Sequence, residues 1–471
     1  MSNILPNIEL ARKRKEKSKI IHNFFNLEPK YKIIGLNKYF YVRTYGCQSN
    51  IRDSENIKGI LSNMGYKEAT NANDANIVIL NTCAIRENAE EKVFGEVGFL
   101  KSLSKKKDFM FGICGCMAQE ESVIKKIINK IHHVSFVFGT HNIYDLPCII
   151  YEYSKTRKQI IKVYSKEGDI IENLPSVRTS NVKAFVNIMY GCDKFCSYCI
   201  VPYTRGKLRS RNKEDILKEI NDLINKDYKE ITLLGQNVNS YGLDKKDGYL
   251  FKDLLVDVCK TNIPRVRFAT SNPWNFDKHI VDLCLKYKNL MPYFQLPIQS
   301  GSEMILEKMN RKMKIKNYID MIKYIRRLVP NCAISTDIIV GFPNETDKQF
   351  NETLKLYKLI KFDNAYTFIY SKREGTPAAN IIDKTPLVIK QKRLAILNEL
   401  VIKYAKINNN KFLNKTVEVL VEGKSKTNDK IWTGYSPQWK VVNFSGKCKI
   451  GDIVKVKINN IGKFCLYGVI V

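Results

Sequence analysis

The segment Cys192-Asp193-Lys194-Phe195-Cys196-Ser197-Tyr198-Cys199 holds three cysteines in a C-x3-C-x2-C loop. It follows directly on Ala184 to Met189, a short apolar run that reads as a strand. Three thiolates wrapped by so short a loop suit three irons of a [4Fe-4S] cluster and leave the fourth iron without a protein ligand. An open iron is a place for a substrate or cofactor. The competing reading is structural zinc, which takes four protein ligands in tetrahedral geometry. Histidine is absent from Lys183 to Lys278, so zinc would need a remote fourth partner.

The chain has 13 cysteines in 471 residues. Residues Met1 to Phe25 are basic but lack the apolar core and cleavage site of a secretory signal, and no apolar run reaches the roughly 18 residues of a membrane span. A cytoplasmic protein without a membrane partner is expected. Thiols stay reduced in that compartment, so cysteines in ordered spacings point to metal rather than disulfides. The formal charge of +31 suits a polyanionic partner such as nucleic acid. Runs such as Lys105-Lys106-Lys107 and Asn408-Asn409-Asn410 fit equally well a Lys- and Asn-biased, merely solvated surface.

The chain is too long for one ordinary core. After a basic tail over 1–37, strand and helix patterns alternate through 38–150: strands at Lys38 to Val42, Asn76 to Leu80 and Phe109 to Cys114, helices at Asn50 to Met64, Glu87 to Leu100 and Gln119 to Ile131. This predicts an α/β domain with a parallel sheet. Cys47, Cys83 and Cys116 each follow one of its strands, at the ends that face the ligand-binding crevice of such sheets. A strand or two and a linker are expected over 151–182. Six strand and helix units over 183–410 predict a full or partial parallel barrel, and alternating strands over 411–471 a small antiparallel β-barrel.

Several further segments stand in order along the chain: Asn81-Thr82-Cys83-Ala84-Ile85-Arg86, Gly115-Cys116-Met117-Ala118-Gln119, Ile200-Val201-Pro202-Tyr203-Thr204-Arg205-Gly206, Gly235-Gln236-Asn237-Val238-Asn239-Ser240-Tyr241-Gly242 and Asp337-Ile338-Ile339-Val340-Gly341-Phe342-Pro343. With the cysteine loop they resemble the radical S-adenosylmethionine methylthiotransferases, most closely the MiaB-type tRNA 2-methylthio-N6-isopentenyladenosine synthases. The resemblance implies a methylthiotransferase domain, a radical barrel and an RNA-binding TRAM barrel. It implies two [4Fe-4S] clusters, an auxiliary one on Cys47, Cys83 and Cys116 and one on Cys192, Cys196 and Cys199 whose free iron chelates S-adenosyl-L-methionine. One S-adenosylmethionine would methylate a sulfur on the auxiliary cluster, and another would supply the radical that takes hydrogen from carbon 2 of the adenine. That carbon is not acidic and has no leaving group but hydrogen, which is why a radical is needed. Implied partners are the tRNA anticodon stem-loop, an electron donor such as flavodoxin or ferredoxin, and a sulfur donor, with a monomer expected.

Other residues are assigned more generally. Tyr198 holds the aromatic position before the third cysteine, and Gly235, Gln236 and Asn237 end a barrel strand where they would approach S-adenosylmethionine, an ordinary turn being the alternative. Arg205, Arg209 and Arg211 form a basic cluster suited to RNA, unless one pairs with cofactor or a carboxylate. Trp432, Tyr435 and Trp439, interleaved with Lys440 and Lys447, suit base stacking with phosphate contact or else core packing. The pattern departs from the family at Gln295, where His is usual, and at Asn272. The other readings are a methylthiotransferase acting on threonylcarbamoyladenosine or on a ribosomal protein, and a non-catalytic RNA-binding module with structural zinc.

Overall fold

The short apolar runs of the first domain line up as a six-stranded sheet in a computed structural model that describes residues 20–84, 87–103, 108–164 and 169–471. The order is Lys67–Glu68, Tyr39–Thr44, Ile77–Thr82, Met110–Gly115, Phe136–Phe138, Ile160–Lys162, and each neighbouring pair is parallel. Ile77–Thr82 and Met110–Gly115 are buried at every residue, because helices cover both faces of a parallel sheet. Helix Gln48–Asn63 lays Ile57, Ile60 and Leu61 on one face. Helices Glu87–Leu103 and Glu121–Lys130 cover the other through Val97, Leu100, Ile124 and Ile127.

Two boundaries differ from expectation. The first domain does not end at 150: helix Leu146–Thr156 packs on its sheet, and of the short strands in 151–182, Ile160–Lys162 is its edge strand. Three-residue strands are too short for periodicity to register, and their burial comes from partners distant in sequence. Nor is 20–37 a free tail, since His22–Phe24 pairs in parallel with Ile170–Glu172 and Leu27 and Tyr31 are buried. The first nineteen residues of the basic tail, Ile85-Arg86 and the Lys105 to Lys107 run lie outside the described residues.

Two three-stranded parallel sheets form the central barrel. Glu230–Leu234 lies between Lys183–Asn187 and Arg265–Phe268, and Ala333–Val340 between Tyr293–Gln295 and Asn364–Ile369. Backbone bonds from Val266 N to Asn289 O (2.7 Å) and from Met291 N to Val266 O (2.9 Å) join them into one incomplete barrel. Its core is aliphatic and aromatic, with Val186, Ile231, Leu254, Phe294, Ile322 and Tyr357 fully buried or nearly so.

The carboxyl-terminal barrel closes in the order Thr416–Ser425, Asn428–Tyr435, Val441–Ser445, Cys465–Ile470, Ile453–Ile461. It is not wholly antiparallel, because Val441–Ser445 and Cys465–Ile470 run parallel. Five strands in a ring cannot alternate direction all the way round. Arg265 and Arg267, on the barrel strand above, reach into this domain. Arg265 pairs with Glu418 (2.8 Å) and Arg267 donates to the carbonyls of Pro437 and Ser436 (2.8 and 2.9 Å). The Arg267 guanidinium lies 4.5 Å from the Trp439 ring centroid, and Tyr293 stacks on the same indole. We expect Trp439→Ala to loosen this joint by about 3 kcal/mol, the sum of two aromatic pairs, with Tyr293 and Tyr435, and one desolvated cation–π contact. Urea unfolding of the full chain checks this: the midpoint should fall.

Candidate active site between two cysteine sets

Three adjacent strands of the first sheet end in the first set of cysteines. Cys47, Cys83 and Cys116 follow Tyr39–Thr44, Ile77–Thr82 and Met110–Gly115, so strand order alone brings them side by side. The turns that turn them inward are tight. Gly46 has φ +137°, and a Cβ there would stand 2.5 Å from Asn50 Oδ1 and 2.8 Å from the Cys83 Cβ. Gly115 has φ +94°, and a Cβ would meet the Thr82 carbonyl at 2.3 Å. Only glycine supplies both the backbone conformation and the space. Asn50 then fastens the first turn, accepting from Cys47 N and Sγ (3.3 and 3.4 Å) and donating to Thr82 O (3.0 Å).

The second set sits on an excursion of the central barrel. Met189–Tyr190 pairs antiparallel with Arg209–Ser210, and Cys192 N donates to Gly206 O at 3.0 Å, so the loop is closed at its base. Its tip is held from the far side of the barrel. Ser197 N donates to Met309 O (3.0 Å), Ser197 Oγ to Lys308 O (2.7 Å), and Ala378 N to Ser197 O (2.9 Å). Arg311 approaches Cys196 Sγ at 3.8 Å while donating to Tyr198 Oη (3.3 Å) and Pro297 O (2.5 Å).

Burial pushes the Cys116 thiol up to about 12; Arg205 pulls it down, and Cys83 and Cys47 push it further up. Burial likewise raises Cys192 to about 11 and Cys199 well above the ordinary thiol range. Without a cation these sulfurs stay protonated, and metal binding would displace their protons. Among the described residues, no three His, Cys, Asp or Glu side chains close on one point tightly enough for a single metal ion. Within each set, neighbouring thiols disfavour one another's ionisation: Cys83 and Cys47 that of Cys116, Cys196 and Cys192 that of Cys199. Each set offers three soft thiols, the donor chemistry that a [4Fe-4S] cluster with one open iron takes.

The two sets meet. Ala84 and Cys116 pack with Ile200 and Tyr203 in one small apolar cluster, and Arg205 Nε donates to Cys116 Sγ at 3.2 Å. Gln236, expected at the cofactor, donates to Ser49 Oγ (2.9 Å), two residues past Cys47. The Asn237 side chain is spent on Ser240 Oγ (2.7 Å) and Asn272 N (3.0 Å), while Gly235 lets the Met189 side chain pass, a Cβ there falling 2.6 Å from Met189 Cγ. Of the two departures from the family pattern, Gln295 donates to Asp337 Oδ1 (3.3 Å) and Asn272 Oδ1 accepts from Arg311 (3.4 Å).

Arg205, Arg209 and Arg211 do not form an RNA-facing surface. They are 7%, 6% and 6% exposed. Arg205 pairs with Asp53 (2.7 Å) of the first domain, and Arg211 with Glu172 (2.6 Å), distant in sequence, and with Glu219 (2.7 Å) on the next helix. Arg209 donates to Arg205 O (3.2 Å). Tyr435 and Lys440 are also turned from solvent. Tyr435 packs against Trp439, and Lys440 pairs with Asp363 (3.1 Å) on the central barrel. Trp432 stays at the surface of the small barrel with the Lys424 ammonium 3.5 Å from its ring centroid. Arg311, Asp53 and Glu219 were not legible as site residues, since no spacing links them to the cysteines.

The chain is 55% identical to the tRNA-2-methylthio-N(6)-dimethylallyladenosine synthase of Malacoplasma penetrans (strain HF-2), over 98% of this chain and 95% of that protein. It is 50% identical to the protein so named from Bacillus subtilis (strain 168), over 99% of this chain and 92% of that one. The chain belongs to this synthase family. Residues 39–139 match Uncharacterized protein family UPF0004, residues 186–357 the Radical SAM superfamily, and residues 410–471 the TRAM domain. In fold, the chain resembles the radical S-adenosylmethionine methyltransferase TsrM from Kitasatospora setae, with a TM-score of 0.52 at 11% identity over 73% of this chain and 75% of that one.

Proposed function

We infer that this protein is a radical S-adenosylmethionine methylthiotransferase that acts on carbon 2 of N6-isopentenyladenosine next to the anticodon of tRNA, using two [4Fe-4S] clusters. The observation that carries this reading is the packing of Cys116 of the first set against Ile200, Tyr203 and Arg205, which follow directly on the last cysteine of the second. Methylthiolation of an unactivated carbon needs a radical source and a sulfur source facing one substrate atom. When bound, the clusters with S-adenosylmethionine supply the radical and the methylated sulfur. The chain supplies position. Cys192, Cys196 and Cys199 would hold the radical cluster, and Cys47, Cys83 and Cys116 the auxiliary one. Tyr198, locked by Arg311, would form a wall beside the first.

Trp432 with Lys424 offers an aromatic face and a cation to RNA, the pairing expected for an unpaired base beside a phosphate. A low-potential electron donor and a sulfur donor complete the reaction, and the protein acts in the cytoplasm as a monomer. Among the described residues no helix is long and apolar enough to cross a membrane.

The test is the triple substitution Cys47→Ala, Cys83→Ala, Cys116→Ala. After anaerobic reconstitution it should lose about four irons per chain yet still cleave S-adenosylmethionine to 5′-deoxyadenosine. Mass spectrometry of tRNA nucleosides should then find isopentenyladenosine and no methylthio product. A methylthio product at the parent level would refute the assignment.

A further inference from the structure

Arg205 is six residues past Cys199 in the chain, just beyond the short helix Val201–Thr204, and its side chain leaves the central barrel for the first domain. Its backbone is held on all sides. Arg205 N donates to Val201 O (2.8 Å), Arg205 O accepts from Arg209 (3.2 Å), and the preceding carbonyl, of Thr204, accepts from Thr140 Oγ1 (2.6 Å). The guanidinium divides its donors: one terminal nitrogen serves Asp53 Oδ2 at 2.7 Å, while Nε points at Cys116 Sγ at 3.2 Å. Asp53 is 5% exposed. Arg311 bears a similar relation to Cys196 in the other set, but at 3.8 Å and on neutral partners.

A buried guanidinium is a permanent charge in a medium that screens it weakly. Next to a thiolate it makes a charge-assisted hydrogen bond, which stabilises electron density on the sulfur. Hydrogen bonds to ligand sulfurs and the local net charge set the reduction potential of an iron-sulfur cluster, and they orient the ligands. We propose that Arg205 is a positioning residue for the auxiliary cluster: it fixes the Cys116 thiolate, ties that site to the radical loop through the rigid stretch from Cys199, and raises the cluster's reduction potential. The proposal rests on the reading of Cys47, Cys83 and Cys116 as cluster ligands. A guanidinium that merely joined two domains would leave the potential alone.

The experiment uses the full chain carrying Cys192→Ala, Cys196→Ala and Cys199→Ala, so that a single cluster remains, and adds Arg205→Met or Arg205→Lys. Iron and sulfide are counted, and the midpoint potential is read by electron paramagnetic resonance during reductive titration. Arg205→Met should shift the midpoint to more negative potential, and Arg205→Lys, which keeps the charge, should return it toward the parent. The Met variant should also surrender its iron at a chelator concentration about tenfold or more below that of the parent. An unshifted midpoint overturns the proposal. Because Asp53 is orphaned in the Met variant, the same comparison is made between Asp53→Asn and Asp53→Asn/Arg205→Met, where no buried carboxylate is left alone. If the parent with the three Ala substitutions binds no iron, the ligand reading itself has failed, a result distinct from an unshifted potential.

Discussion

Replacing Cys192, Cys196 and Cys199 together by Ala should abolish, not merely slow, the conversion of S-adenosylmethionine to 5′-deoxyadenosine. The loop's shape does not depend on its thiols. It is closed at its base by Cys192 N to Gly206 O and held at its tip by Ser197 through three bonds to Met309, Lys308 and Ala378, all of which survive the change. Ala also fits wherever a buried Cys fits, at the cost of one sulfur's volume per site. Folding and domain docking should persist, which circular dichroism and gel filtration check. About four irons per chain should go with the thiolates, and no other cysteine set stands ready to replace them. Liquid chromatography of the products after dithionite decides it: a parent rate of 5′-deoxyadenosine formation in the triple variant would mean that the radical source lies elsewhere.

The largest expected loss of stability is that of Glu219→Ala. Glu219, on helix Lys213–Asn225, accepts from Arg52 (3.1 Å) of the first domain, from Arg178 (2.7 Å) and from Arg211 (2.7 Å). Its side chain is 17% exposed. Burial works to raise its carboxyl, but Arg211, Arg52 and Arg178 together outweigh that and hold it far below the usual carboxylate range. Removing one member of a buried ionic cluster leaves uncompensated charge and costs about 3 to 5 kcal/mol. Here Arg52, Arg178 and Arg211 would keep only Glu55 and Glu172 among them, which leaves one buried positive charge uncompensated at the joint of the first domain and the barrel. Urea unfolding at neutral pH should show the midpoint falling accordingly, with Glu219→Gln intermediate.

The pH dependence has a definite sign. A carboxylate whose folded value is depressed contributes its full stability above its unfolded value, near 4.5, and loses it as the pH falls through the folded value. The parent should therefore lose stability on acidification below about pH 4.5, and the Gln variant should lose less over the same span. Equal acid sensitivity in both would remove Glu219 from the joint.

Secondary structure was largely legible where an element is long and its environment one-sided. Helix Ile315–Leu328 buries Tyr318, Ile322 and Ile325 on one stripe, and strands Glu230–Leu234 and Ala333–Val340 are mostly apolar or β-branched. These patterns follow from helical and strand periods alone. Elements of two or three residues, such as His22–Phe24 and Ile170–Glu172, were not legible, because each exists only by pairing with the other across the chain. The arginines misled for a related reason. A cationic side chain reads as surface unless its carboxylate is known, and Asp53 lies 152 residues from Arg205.

What the sequence by itself determined is the chemistry on offer: two sets of three thiols, one compact and one spread over three strand ends, in a chain of three folding units. Those features are written in residue type and short spacing, which act locally. Only the tertiary structure decided that Cys116 packs against the stretch just after Cys199, that Arg205 and Arg211 are buried ties and that Tyr435 and Lys440 belong to a domain joint. Whether a charge is solvated or paired depends on desolvation and on partners supplied by remote segments, and no spacing along the chain encodes either.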